Sequence, residues 1–102
     1  MQKVNKNEFD SLIKEGYTFV DIFATWCGPC KMLSPVVEEL SKEYTDVKFV
    51  KVDVDEEEEL AMKYGIMSIP TLFLLKDGEV VGKTGGMQPI DSLRAFINNY
   101  KK

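Results

Sequence analysis

The chain has 102 residues, 44% hydrophobic and 29% charged, enough for one compact domain over residues 1–102 and too few for two. Lysine plus arginine number 13 against 17 acidic residues, a net charge of −4, which argues against binding nucleic acid through its phosphates. No apolar run reaches the length of a membrane span, and Met1-Gln2-Lys3-Val4-Asn5 lacks the apolar stretch of a secretion signal, so a reducing cytoplasmic setting is expected.

Taken in order, Asn7 to Lys14 put Phe9, Leu12 and Ile13 on one helical face, and Gly16 ends that helix. Tyr17 to Ala24 is almost unbroken apolar sequence, the pattern of a strand covered on both faces in the middle of a sheet. A long helix should start at the cysteine segment and run to about Tyr44, with Met32, Leu33, Val36, Val37 and Leu40 at helical spacing and Pro35 bending it. Val47 to Val54 alternates as a strand, and Leu60 to Tyr64 reads as a short helix stopped by Gly65.

Thr71 to Leu75 is a further apolar strand, Asp77-Gly78 signals a hairpin turn, and Glu79 to Thr84 returns. A last helix begins around Pro89, with proline in its first turn and Leu93, Phe96, Ile97 and Tyr100 on its apolar side. The order βαβ, hairpin, helix predicts an α/β fold. Its mixed sheet should be parallel in the first half, antiparallel at the hairpin, and flanked by helices.

The chemistry concentrates in Trp26-Cys27-Gly28-Pro29-Cys30-Lys31, which holds both cysteines of the chain. At a helix start the first N–H groups lack partners and the dipole favours a thiolate. Cys27, nearest solvent there, is expected to be the nucleophile. Cys30, buried one turn inside, would resolve a mixed disulfide. Gly28 and Pro29 space the two sulfurs, and Pro29 tolerates the first turn because its missing N–H would have had no acceptor. A purely structural disulfide is the weaker reading, since so short a loop restrains the unfolded chain by only about 2 kcal/mol. A metal site is also disfavoured: with two cysteines and no histidine, the chain cannot supply a tetrahedral zinc set alone.

Asp21 interrupts the apolar strand. It is either a buried carboxyl behind the cysteines, serving as general base for Cys30, or a residue at a wet strand end. Lys51 is its candidate partner, with a solvated strand lysine as the alternative. Pro70, before the strand Thr71 to Leu75, fits a strand start, where free backbone groups of Ile69 could pair with an extended peptide. Trp26 forms either part of a docking surface or a simple cover over the helix start. Met67 and Met87 are candidate rim residues, and Gly85-Gly86 permits close approach of another backbone. The acidic run Asp53 to Glu59 is read as a solvated face complementing a helix dipole, without a catalytic role.

Val20-Asp21-Ile22-Phe23-Ala24-Thr25-Trp26-Cys27-Gly28-Pro29-Cys30-Lys31, Lys51-Val52-Asp53-Val54-Asp55, Tyr64-Gly65-Ile66, Ser68-Ile69-Pro70-Thr71-Leu72, Lys76-Asp77-Gly78-Glu79 and Gly85 together resemble the thioredoxin family over essentially the whole chain. The resemblance implies the thioredoxin fold, a central mixed sheet of four to five strands with four helices. It also implies a cis peptide bond before Pro70, Cys27 as nucleophile with Cys30 resolving, and an acid–base pair of Asp21 and Lys51. The implied docking surface comprises Trp26, Met67, Ile69, Pro70 and Gly85. The implied activity is reduction of protein disulfides by a monomer without a bound cofactor, re-reduced by a thioredoxin reductase. Phe23 departs from the family pattern, where tryptophan is common. An oxidase or isomerase of the same fold and a redox-inactive binding subunit are the other readings; Gly28-Pro29 and the missing signal sequence argue against the first.

Overall fold

The computed structural model describes residues 1–101, in the order β1 (Gln2–Lys3), α1 (Lys6–Leu12), β2 (Tyr17–Phe23), α2 (Gly28–Ser41), β3 (Val47–Asp53), α3 (Glu58–Lys63), β4 (Thr71–Lys76), β5 (Glu79–Gly85) and α4 (Ile90–Tyr100). The strands form one sheet in the order β1-β3-β2-β4-β5. β3 is parallel to both β1 and β2, whereas β4 is antiparallel to β2 and β5. The apolar run Tyr17–Phe23 thus holds the central position that its two-sided hydrophobicity requires. β1 has no counterpart among the sequence expectations, because two residues carry no period.

Side-chain alternation along β2 sorts the core into two layers. Phe19 packs with Leu33, Val37 and Leu40 of α2 and with Leu93 and Ile97 of α4. Val20 and Ile22 point the other way, into the cluster of Phe9, Ile13 and Leu60. Each such fully buried side chain contributes about 1.5–3 kcal/mol of transfer free energy. The same alternation turns Asp21 toward the α2 side, which brings a carboxyl under the helix bearing the cysteines.

Several element boundaries differ from expectation, among them both ends of α3, which spans Glu58–Lys63, and the end of α1 at Leu12; three others have a clear local cause. α2 stops at Ser41, where the Lys42 N–H tightens the last turn on the carbonyls of Glu39 and Leu40. Tyr44 lies beyond the helix and donates its hydroxyl to Asn98 Oδ1 at 2.8 Å. Pro89 caps α4 instead of entering its first turn: it is extended, at φ −70° and ψ 158°, and its carbonyl accepts from Ser92 and Leu93. Finally, α1 begins one residue early, because Asn5 and Glu8 form a reciprocal capping box.

The expected hairpin turn is present. Asp77 and Gly78 both adopt positive φ, 50° and 87°, as a tight two-residue turn with the strands' twist demands. Asp77 also accepts from the Gly16 N–H through Oδ1 at 2.8 Å, fastening the hairpin to the loop before β2.

Candidate active site

Cys27 is the N-cap of α2, extended at φ −86° and ψ 112°, with its Sγ accepting from the Cys30 N–H at 3.2 Å. Gly28 and Pro29 follow as the first helical residues, so Pro29 sits where no acceptor is lost. The Cys27 and Cys30 sulfurs are joined in a disulfide, with the Cα atoms 5.2 Å apart. The expected contrast in exposure does not hold in this oxidised state, since Cys27 is 5% and Cys30 4% exposed. Both sulfurs are covered by one another and by a small cluster containing Ala24, Phe23 and Ile69. Position distinguishes them instead. Cys27 caps the positive end of the helix, whereas Cys30 lies within its first turn.

Cys30 lines a cleft of about 300 Å³ with Asp21, Phe23, Ala24, Lys31 and Lys51. Asp21 is 3% exposed, so it does not lie at a wet strand end. Among the described residues, none donates a hydrogen bond to its Oδ1. Burial pushes the Asp21 carboxyl up to about 6, against the opposing pull of the Lys51 ammonium. Lys51 is the register partner of Asp21 in the parallel ladder. Its ammonium lies 5.5 Å from the centroid of the Phe23 ring, so the aromatic at this departure from the family pattern borders the same cleft.

The Ile69–Pro70 bond is cis, and Pro70 is buried beside the start of β4. Its carbonyl accepts from the Gly86 N–H at 3.1 Å. A Cβ on Gly85 would come 3.0 Å from that carbonyl oxygen, so the absence of a side chain lets the two segments touch. Met87, just beyond, is 43% exposed.

Trp26, Val54, Ala61, Ile66, Met67 and Ile69 line a second, apolar cleft of about 210 Å³. Trp26 is 69% exposed and Met67 97%, so neither is a core cover. The indole N–H of Trp26 donates to Asp55 Oδ2 at 2.8 Å.

The acidic run is less uniform than its sequence suggests. Asp53 is buried at the end of β3, and its Oδ1 accepts from the Asp55 N–H at 2.9 Å. Asp53 and Asp55 are thus tied to each other and, through Asp55, to Trp26, while Glu58 and Glu59 occupy the first turn of α3 as the dipole reading requires. Identical residue types in one run concealed this division. The end of the alternating strand at Asp53 was the available signal.

The Thioredoxin family model matches residues 1–99. The chain belongs to the thioredoxin family. It is 50% identical to the thioredoxin of Bacillus subtilis (strain 168) over 99 residues, covering 96% of this chain and 95% of that one. It is 46% identical to Staphylococcus aureus thioredoxin at the same coverage. Among solved structures, Plasmodium falciparum thioredoxin superposes with a TM-score of 0.92 at 42% identity, over 98% of this chain and 99% of the other. Fasciola hepatica thioredoxin gives 0.91 at 40% identity, over 99% and 100%.

The architecture is the thioredoxin fold, and the Cys27–Cys30 pair makes the protein a thiol–disulfide oxidoreductase with protein-disulfide reductase activity. Membership of the thioredoxin family implies, in general terms, disulfide-containing targets and a reductase as partners. These matches give no support to the oxidase, isomerase or binding-subunit readings. Among the described residues, no helix is long and apolar enough to cross a membrane, and no group of three or more Cys, Asp or Glu could hold a metal ion.

Proposed function

We propose that Cys27 is the attacking thiol and Cys30 the resolving one, with Asp21 as proton acceptor for Cys30. The observation that carries this assignment is the shared cleft: Cys30, Asp21 and Lys51 line it, and Cys27 does not. In the reduced protein the Cys27 thiolate, favoured by the α2 terminus, attacks one sulfur of a target disulfide. The S–S bond of the target breaks, a mixed disulfide forms, and the departing target sulfur takes a proton. Cys30 then passes its proton to Asp21, directly or through one water, and its thiolate attacks the Cys27 sulfur. The mixed disulfide breaks, the second target sulfur leaves as a thiolate and takes a proton from Asp21 or solvent, and Cys27–Cys30 holds the two-electron oxidation.

Lys51 keeps part of the Asp21 population ionised and able to accept that proton. Trp26, Met67, Ile69, Pro70 and Gly85 form the docking surface for an extended segment of the target. We further propose residues 1–102 as a single domain that acts as a cytoplasmic monomer with no bound cofactor, re-reduced by a thioredoxin reductase.

Cys30→Ser and Cys27→Ser variants, each mixed with a disulfide-containing protein and analysed by intact mass, test the order of attack. Cys30→Ser should accumulate a mixed disulfide through Cys27, and Cys27→Ser should accumulate none. Trapping by Cys27→Ser alone would reverse the roles. Asp21→Asn should slow release of the second target thiol by at least about tenfold, as expected for a lost positioned base. An unchanged rate and pH profile would remove Asp21 from the mechanism.

A further inference from the structure

A serine stands one helical turn beyond Cys30. Ser34 follows it on α2 at the spacing that puts two side chains on the same helical face, and a helical side chain leans back toward the preceding turn. Ser34 accordingly lines the cleft of about 300 Å³ that Cys30 shares with Asp21 and Lys51. For the helix alone alanine would serve better, because a serine in mid-helix competes with the backbone for hydrogen bonds.

The usual outlet for such a hydroxyl is a carbonyl three or four residues back, as Ser41 shows by donating to the Glu38 carbonyl at 2.6 Å. Ser34 takes no such outlet. Among the described residues its half-buried hydroxyl has no hydrogen-bond partner. The buried Asp21 Oδ1, on the same cleft, likewise receives no donor from a described residue. A free donor and a free acceptor thus border one cavity, which has room for a bridging water. The other titratable groups on this cleft are Cys30 and Lys31 from α2 and Lys51 from β3. Leu72, the neighbour of Asp21 on β4, carries no charge.

We propose that Ser34 is a positioning residue for the resolving step, its hydroxyl donating through one water to the Asp21 carboxylate and keeping it ready to take the Cys30 proton. The proposal rests on the reading of Asp21 as proton acceptor for Cys30 and adds the donor that steadies it. Donors favour the ionised form of a carboxyl, so Ser34 acts with Lys51 against the effect of burial. The Cys30 proton still passes to Asp21, and Ser34 keeps its own.

The reduced parent, Ser34→Ala and Ser34→Thr proteins are mixed with excess dithiobis(nitrobenzoate), and thionitrobenzoate release is followed from about pH 5 to about pH 8. The first release reports attack by Cys27. The second, independent of reagent concentration, reports attack by Cys30 on the mixed disulfide. Ser34→Ala should slow the second release by about three- to tenfold near pH 5 and by less than about twofold near pH 8, as expected when the carboxyl titrates about 0.5–1 unit higher. Carboxyl-labelled NMR should show the Asp21 midpoint rising by the same amount. Ser34→Thr keeps a hydroxyl and should restore both readouts, and the first release should be alike in all three proteins.

An unchanged second release in Ser34→Ala would overturn the proposal, as would slowing by one factor at every pH. Equal impairment in Ser34→Thr would also overturn it, assigning the effect to helix packing. Asp21→Asn separates the underlying reading: if its second release is unaltered, Asp21 is not the base, whatever the Ser34 variants do. If that release is slowed, adding Ser34→Ala to Asp21→Asn should slow it no further, and a further loss would refute the action of Ser34 through Asp21.

Discussion

Asp21 and Lys51 occupy one register position on adjacent parallel strands, yet the carboxyl is governed by burial more than by its cationic neighbour. Their side chains leave the same face of the sheet, toward α2 and Cys30. A carboxyl held near the middle of the accessible pH range is suited to taking a proton from a thiol. The same placement makes Asp21 a destabilising group at neutral pH.

The sign follows from the raised value of about 6 against 3.8 for an ordinary aspartate. The folded state binds the extra proton between these values, so the favourable contribution is complete below about pH 4 and is lost as pH rises through about 6. At stake is about 3 kcal/mol. Asp21→Asn should therefore be more stable than the parent above about pH 7 and should lack the fall in stability between about pH 4 and 6.5. Urea unfolding of the oxidised proteins across this range measures it; parallel curves for the two proteins would contradict the assignment.

Lys51 opposes the effect of burial on Asp21. Lys51→Met removes the charge while keeping an unbranched side chain, so Asp21 should titrate above about 6. Carboxyl-labelled NMR titration reads this directly. A midpoint that stays put or moves down would show that the ammonium does not act on Asp21.

Gly85 faces the Pro70 carbonyl oxygen, and an added Cβ would lie 3.0 Å from it. Gly85→Ala must push the β5 end away from the Pro70 segment, at a cost of about 1–3 kcal/mol. The guanidinium midpoint should fall accordingly, and KM for a protein disulfide should rise because the docking surface shifts. No loss of stability would mean that the segment yields freely.

Leu93 is fully buried in the layer between α2, α4 and the sheet. Leu93→Ala should cost about 2–5 kcal/mol through lost transfer and a residual cavity. Calorimetry of the oxidised protein tests this. A change under about 1 kcal/mol would show that α4 is not needed to close that layer.

The sequence alone determined the local features: the two cysteines at a helix start, Pro29 in its first turn, the central strand Tyr17–Phe23 and the Asp77-Gly78 turn. These depend on residue spacing, capping and backbone preference within a few positions, which a linear reading captures. It also raised Asp21 as an anomaly, because a carboxyl in an apolar run breaks the pattern. Tertiary structure alone decided what surrounds that anomaly. Sheet alternation placed Asp21 under α2, the parallel register set Lys51 beside it, and the Pro70 segment arrived from a distant part of the chain. The same holds for Trp26 and Asp55, which are 29 positions apart and joined by one hydrogen bond. Such pairs leave no periodic trace, since only the packing of strands and helices against one another fixes which remote side chains meet.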